Sequence, residues 1–312
     1  MAKEKLVVPA KKKKQRPGDI VFHICNYTFF ILFTIMCAFP FYYLIINTIS
    51  NNDLSSRGLI NLIPKGIHFK NYIEVFKIDG FLRSLWVSVA RTVIGTCCTV
   101  FASALLGFVF SQKKMWGRKF WYRFMVVTMY FSAGLIPMYI IILNLKLTNN
   151  FWVYIIPAIV QPFNVILVKT FIESLPASLQ EAAEIDGAGV LSVFFKIVLP
   201  LTTPSLATIA IFSAVGQWNS FQDTMLYITD KSLYSLQYRV YTYINQANSI
   251  AMAIKNSGTG TSNSALIDLA TKQTPTSIRM SVTVVTVLPI LFIYPMFQKH
   301  FVKGMMIGAV KG

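Results

Sequence analysis

Six stretches of this chain are apolar over a length that lets an α-helix cross a bilayer core, about 20 residues. They run over 20–49, 82–111, 120–145, 151–173, 204–229 and 279–298. Six such runs cannot all hide from water in one small core, so lipid is the expected solvent. The charged fraction agrees, at 13% against about 25% in soluble domains. The expected fold class is an all-α membrane protein with six transmembrane helices. The fourth run contains Pro157 and Pro162, and the sixth Pro289 and Pro295. Membrane helices tolerate proline where neighbours satisfy the freed carbonyls.

Charge sets the orientation. The net charge is +17, but lysines and arginines sit mainly at the ends of apolar runs. A nucleic-acid binder would gather them on one face, so no nucleic-acid partner is expected. With the N-terminus inside, fifteen lysines and arginines fall in cytoplasmic segments against nine outside. The positive-inside rule then makes both termini cytoplasmic.

The expected organisation is a basic cytoplasmic head (1–19), a membrane domain (20–298) with a cytoplasmic loop at 174–203, and a cytoplasmic tail (299–312). The head, "MAKEKLVVPAKKKKQRPGD", suits anionic lipid headgroups. The run after it lacks an A-x-A-like cleavage site and is too long for a signal core, so a retained first helix is expected. The external loop from about 230 to 278 contains "NSGTGTSNS" and reads as a flexible connection. No internal repeat stands out.

Little here points to chemistry. Cys25, Cys37, Cys97 and Cys98 lie inside apolar runs and read as small packing residues. His23, His68 and His300 share no ligand spacing, so no metal is expected. The chain has no G-x-x-x-x-G-K-[ST] loop for ATP. No catalytic residue and no cofactor are expected, and the protein is not expected to be an enzyme.

One segment departs from the greasy, basic background. "LPASLQEAAEIDGAGVLSVFFKIVLP" (175–200) crowds Glu181, Glu184 and Asp186 beside Ala182, Ala183 and glycines. Pro176 suits the first turn of a helix. Ser178 and Glu181 have capping-box spacing, an alternative start. Gly187 is placed to end the helix in a left-handed turn. Val190 to Leu199 can form a second short helix, set apart from the fifth run by Pro200 and Pro204. The alanines would let another backbone approach, and the glutamates would offer acceptors to a basic partner.

The spacing Glu181-Ala182-Ala183, three residues, Gly187, nine residues, Ile197, one residue, Leu199-Pro200 reproduces the EAA motif of ABC-importer permeases. "IDGA" (185–188) resembles the carbohydrate-uptake branch. "QKHFVKGMMIGAVKG" (298–312) resembles the ending of MalG-type permeases of maltose transporters. "NYTFFILFTIMCAFPFYYLIINTIS" resembles the polysaccharide-type LplC/YtcP subgroup. The likeness covers nearly the whole chain, least specifically between 50 and 80 and between 230 and 275.

The resemblance implies a type I ABC-importer permease moving an oligosaccharide or related glycan across the bacterial plasma membrane. It implies three partners: a second permease subunit in a heterodimer, a cytoplasmic ABC ATPase dimer, and an extracellular substrate-binding protein. The EAA loop would be a coupling helix seated in a cleft of the ATPase. A secondary transporter or channel independent of any ATPase is the alternative, and a receptor or assembly protein the third reading.

Polar residues inside the runs are candidates for the translocation pathway. Arg91 lies nine residues beyond Leu82, roughly 14 Å along the helix. It faces a wet cavity or a partner there, or else its helix starts later and it snorkels outward. Gln161 and Asn164 sit mid-way along the fourth run. Gln217, Trp218, Asn219 and Asp223 sit in the fifth, where Gln161 and Gln217 could share a depth. Amides with an aromatic ring suit sugars; hydrogen bonding between helices is the other use of such residues.

Overall fold

A computed structural model describes residues 17–245 and 279–291. The basic head, the MalG-like ending, the end of the sixth run and most of the external Ser/Asn/Thr/Gly-rich loop lie outside the described residues. Every regular element among the described residues is helical.

The first run folds as one helix, α1 (Pro17–Thr48). Two short helices follow, α2 (Asn52–Ser56) and α3 (Lys70–Lys77). The second run is α4 (Phe81–Ser111), entered from Gly80 at φ 71°. The third run is interrupted. Its first part is α5 (Arg118–Thr128), and α6 (Leu135–Asn144) starts only after Gly134, at φ 85°.

The fourth run is also broken. Two 3-10 turns (Phe151–Tyr154 and Ile156–Ala158) meet α7 (Pro162–Glu173) at a bend of 47°. The cause is local: Pro162 pushes the residue before it out of the helical region, and Gln161 is extended at φ −110° and ψ 108°.

The acidic segment forms α8 (Ser178–Ile185). Then α9 (Val190–Val193), a π turn (Phe194–Val198) and α10 (Leu199–Leu201) run on to a 76° bend into α11 (Thr203–Asn219). The fifth run stops short, because Ser220 is extended and α12 (Gln222–Tyr227) restarts the helix. Residues 236–245 form α13, and α14 (Arg279–Leu291) is the described part of the sixth run. Two described helices, α1 and α4, are long and apolar enough to span a membrane singly, or four spans if each bent pair counts as one. Six spanning helices were expected, which is more than these residues display. Proline, glycine and polar residues divide the third, fourth and fifth runs.

The core is built on α4, which packs along both α7 and α11. Glycine permits the approach. A Cβ at Gly107 would stand 2.8 Å from Val168 of α7, and one at Gly95 2.8 Å from Gln217 of α11. Small residues at membrane helix contacts serve this purpose.

Most of α1 is exposed until its last turns, where Ile46, Asn47 and Thr48 are buried. Cys25, Cys37 and Cys97 are likewise exposed, so the expected packing role is corrected for these three. The faces that carry Cys25, Cys37 and Cys97 turn away from the protein core, whereas Cys98 packs against the cluster around Ile142 and Tyr154 and keeps the packing role. After α1, the loop is closed by polar groups. Asn47 donates to Tyr43 O (2.9 Å) and accepts from Ser55 (2.8 Å), while Asn71 donates to Thr48 O (2.8 Å).

Candidate functional site

Arg91 lies on the α4 face toward α11 and is 1% exposed. All five of its N–H groups are engaged. Nε and Nη2 donate to Gln217 Oε1 at 3.2 and 3.0 Å. Nη1 donates to Ser220 O at 3.3 Å and Asp223 Oδ1 at 3.1 Å, and Nη2 also donates to Asp223 Oδ2. The guanidinium carbon lies 4.3 Å from the centre of the Tyr154 ring. Arg91 therefore bridges the break between α11 and α12: it satisfies the Ser220 carbonyl freed there and pairs with the first acid beyond it. The snorkelling alternative is ruled out.

The helix breaks meet around a cavity of about 460 Å³. Its wall includes Pro157, Ala158 and Gln161 from the bend before α7, and Gly216, Ser220 and Asp223 from the end of α11. Irregular backbone at membrane depth is tolerated only inside protein or beside a wet cavity. The freed Ala158 carbonyl accepts from Thr99 of α4 at 3.1 Å. Gln161, Asn164 and Gln217 all line this space.

Gln217 is less available than expected. Its Oε1 accepts from Arg91, and its Nε2 donates to Tyr154 O at 3.1 Å. Two further candidates are elsewhere. Trp218 is buried among Val75, Phe81, Leu236 and Val282, and its Nε1 donates to Thr286 O at 3.0 Å. Asn219 is exposed and accepts from Gln237 at 3.3 Å. Successive helix residues turn by about 100°, which carries both off the face that Gln217 presents. The aromatic ring expected beside the amides is therefore not Trp218. Phe163, Phe212 and Tyr227 line the cavity in its place.

Tyr154 was missed from the sequence. Its hydroxyl donates to Leu233 O at 2.7 Å and meets Thr224 Oγ1 at 3.0 Å. Nothing in its local pattern signals partners 70 and 79 residues away. Beyond α12, outside the spans, the backbone N–H and hydroxyl of Ser232 hold the Asp230 carboxyl below its ordinary value.

The acidic loop sits at the other end of the core. Ala183 is buried against Phe108, Val168, Ile172, Val193 and Phe194. Of the alanine pair, then, only Ala182 faces outward. The helix starts from a turn at Pro176, with Leu179 N–H donating to Pro176 O at 3.2 Å. No side-chain cap forms. Ser178 is already helical, so the capping-box start is corrected. Gly187 ends the helix at φ 81°, and Ala188 N–H reaches back to Ala183 O at 2.9 Å.

Glu184 is already paired, to Lys114 Nζ at 2.6 Å, and Gln180 accepts from Gln112 at 3.1 Å. A cavity of about 430 Å³ separates the two loops. Beneath it, Glu173 pairs with Arg118 and, at 2.7 Å, with Lys169. Of the three acids in this loop, Glu181 and Asp186 make no ion pair among the described residues. Ile185, Val190 and Leu191 stand exposed beside them. Of the other motif positions, Leu199 and Ile197 pack against the same core, and Pro200 lies before the 76° bend.

A helical core that carries an outward-facing acidic loop at one end and a polar cavity at its broken spans is the frame of a membrane transport subunit. Residues 100–307 match the family of binding-protein-dependent transport system inner membrane components, and the chain belongs to that family. It is an ABC-importer permease. It is 35% identical, over 94% of its length and 99% of the relative's, to the polygalacturonan/rhamnogalacturonan transport system permease protein YtcP of Bacillus subtilis. Protein LplC of the same organism is also 35% identical, over 94% of this chain and 95% of the relative. The arabinooligosaccharides transport system permease protein AraQ of Halalkalibacterium halodurans is 27% identical, over 91% and 94%. A solved bacterial ABC transporter involved in import of the acidic polysaccharide alginate superposes with a TM-score of 0.76. It is 26% identical, over 93% of this chain and 100% of that one.

Proposed function

We propose that this chain is one half of a heterodimeric permease importing an oligosaccharide or related glycan across the bacterial plasma membrane. It crosses the bilayer six times, with both termini in the cytoplasm. The domain limits are those read from the sequence: head 1–19, membrane domain 20–298 with its loop at 174–203, tail 299–312. ATP hydrolysis belongs to a separate ABC ATPase dimer, and an extracellular binding protein delivers the cargo. Relatives named for glycan transport support the cargo class.

The observation that carries the reading is the seating of α8. Its inner face is fixed by Ala183 in the α4–α7–α11 core, while Glu181, Asp186, Ile185, Val190 and Leu191 face away from the chain. An exposed apolar patch rimmed by acids suits a protein partner. Movement of that partner would reach the spans directly, because α8 shares their core. The cavity at the broken spans, lined by Gln161, Asn164, Gln217 and Asp223, is the proposed pathway. Arg91 holds its wall and does not contact cargo. Trp218 and Asn219 are withdrawn from it.

Two experiments test the coupling. The full chain purified from its own host should carry an ABC ATPase with it; a preparation that repeatedly lacks one overturns the reading. Glu181→Lys and Gly187→Arg should abolish glycan uptake while membrane insertion is unchanged. Gly187 faces open space, so its arginine meets no clash within the chain, though its φ of 81° disfavours any side chain. Undiminished uptake in both variants would leave an ATPase-independent transporter as the better account.

A further inference from the structure

We infer that the cavity is a subsite for one uncharged glycosyl unit of the cargo, read through its hydroxyls, and that it disfavours a uronate carboxylate at that position. The inference rests on the permease reading and adds the chemistry of the site to it.

The first observation is an amide without a partner. Asn164 is 7% exposed and lines the cavity, yet its side chain makes no hydrogen bond among the described residues. Its amide opens onto the cavity, where a polar group left without a protein partner is free to bond. Such a group is therefore expected to meet water or a ligand. The side chains of Gln161, Ser213, Ser220 and Tyr227 line the same space and also make no side-chain hydrogen bond there. Together they offer donors and acceptors at several points around the wall. Phe163 and Phe212 add apolar surface for the C–H face of a sugar ring. The volume, about 460 Å³, falls within the range of small-molecule sites, about 300–1,000 Å³.

The second observation is the state of the charges. Arg91 and Asp223 are the charged residues among those lining the cavity. The Arg91 side chain is 2% exposed and the Asp223 side chain 20%. Every guanidinium N–H is already directed at Gln217, Ser220 or Asp223. The charge that shows at the wall is thus the carboxylate. A sugar hydroxyl can donate to Asp223, since a carboxylate accepts through several lone pairs. A uronate would bring a second carboxylate beside the first, with no unpaired cation among this chain's lining residues to receive it, and like charges close together repel.

The test is ligand binding by the assembled transporter, this chain purified with its partner subunits into lipid nanodiscs, read by saturation-transfer NMR. The probes are maltotriose, arabinotriose and raffinose as neutral glycans, and trigalacturonate as the acidic one. At least one neutral probe should bind, and Asn164→Leu should weaken it about tenfold, the worth of one hydrogen bond to a buried group. Trigalacturonate should show no component that depends on Asn164. Gln161→Lys places a free cation at the exposed rim without touching the ion pair, and it should strengthen trigalacturonate binding by about tenfold.

The inference is overturned if no neutral probe shows an Asn164-dependent signal. It is equally overturned if trigalacturonate binds the unaltered chain through Asn164, or if Gln161→Lys leaves trigalacturonate binding unchanged. These outcomes are separate from the fate of the permease reading. Uptake lost in the Glu181 and Gly187 variants would keep that reading even if no glycan bound here. A missing ATPase would sink it whatever binds.

Discussion

Removing the carboxylate of Asp223 leaves the Arg91 guanidinium buried without its counter-charge. Breaking a buried ion pair from one side costs about 3–5 kcal/mol, so Asp223→Leu should lower the midpoint of thermal unfolding in detergent markedly. The double variant Arg91→Leu/Asp223→Leu should recover most of the loss, because no lone charge remains. Equal instability in both would mean that the break between α11 and α12, and not the charge, is what the pair supports. The sequence signalled that Arg91 needed explaining, since an arginine at mid-depth is costly. It did not name the partner. Asp223 lies 132 positions away, and no helical spacing links residues so far apart.

Among the elements, α4 and α7 meet at Gly107. A Cβ there would stand 2.8 Å from Val168 side-chain carbons and 3.1 Å from the Lys169 backbone nitrogen. The second contact is backbone and cannot swing aside. Gly107→Leu should therefore destabilise the chain by about 1–3 kcal/mol, the usual cost of overpacking, and thermal unfolding would read it. The loop element behaves differently. At Gly187 nothing crowds a Cβ, though its φ of 81° strains any side chain, so Gly187→Arg should cost about 1–2 kcal/mol in backbone strain and lose uptake beyond what that explains. That contrast was partly legible beforehand. Gly187 stood out as a helix stop, and its φ of 81° agrees. The capping box at Ser178 did not form, because the helix had already begun at Pro176. The pairing of Glu184 with Lys114 was within reach of the sequence, since the charge bias assigned both segments to the same side of the membrane.

For the molecule as a whole, orientation makes a firm prediction. A cysteine placed at Asp186, in a chain freed of its native thiols, should react with a membrane-impermeant reagent in inside-out vesicles and not in right-side-out ones. Labelling from the outside would reverse the topology and remove α8 from any cytoplasmic partner. The native Cys25 and Cys37, exposed along α1, should resist the same aqueous reagent while the helix lies in lipid.

The sequence by itself determined the solvent, the helical class and the family. Each rests on short-range features: runs of apolar residues, the placement of lysines and arginines, and one motif of fixed spacing. Hydrophobic transfer and motif spacing are set locally, so they need no knowledge of packing. Tertiary structure alone decided which polar side chains are free. Gln217 and Asn164 look alike in the sequence, yet one is held by Arg91 and Tyr154 O and the other is open to the cavity. Trp218 turned away for the same reason that Gln217 turned inward, a rotation of one residue on α11. Hydrogen bonding between distant segments depends on where those segments come to rest, and that is fixed only when α4, α7 and α11 pack.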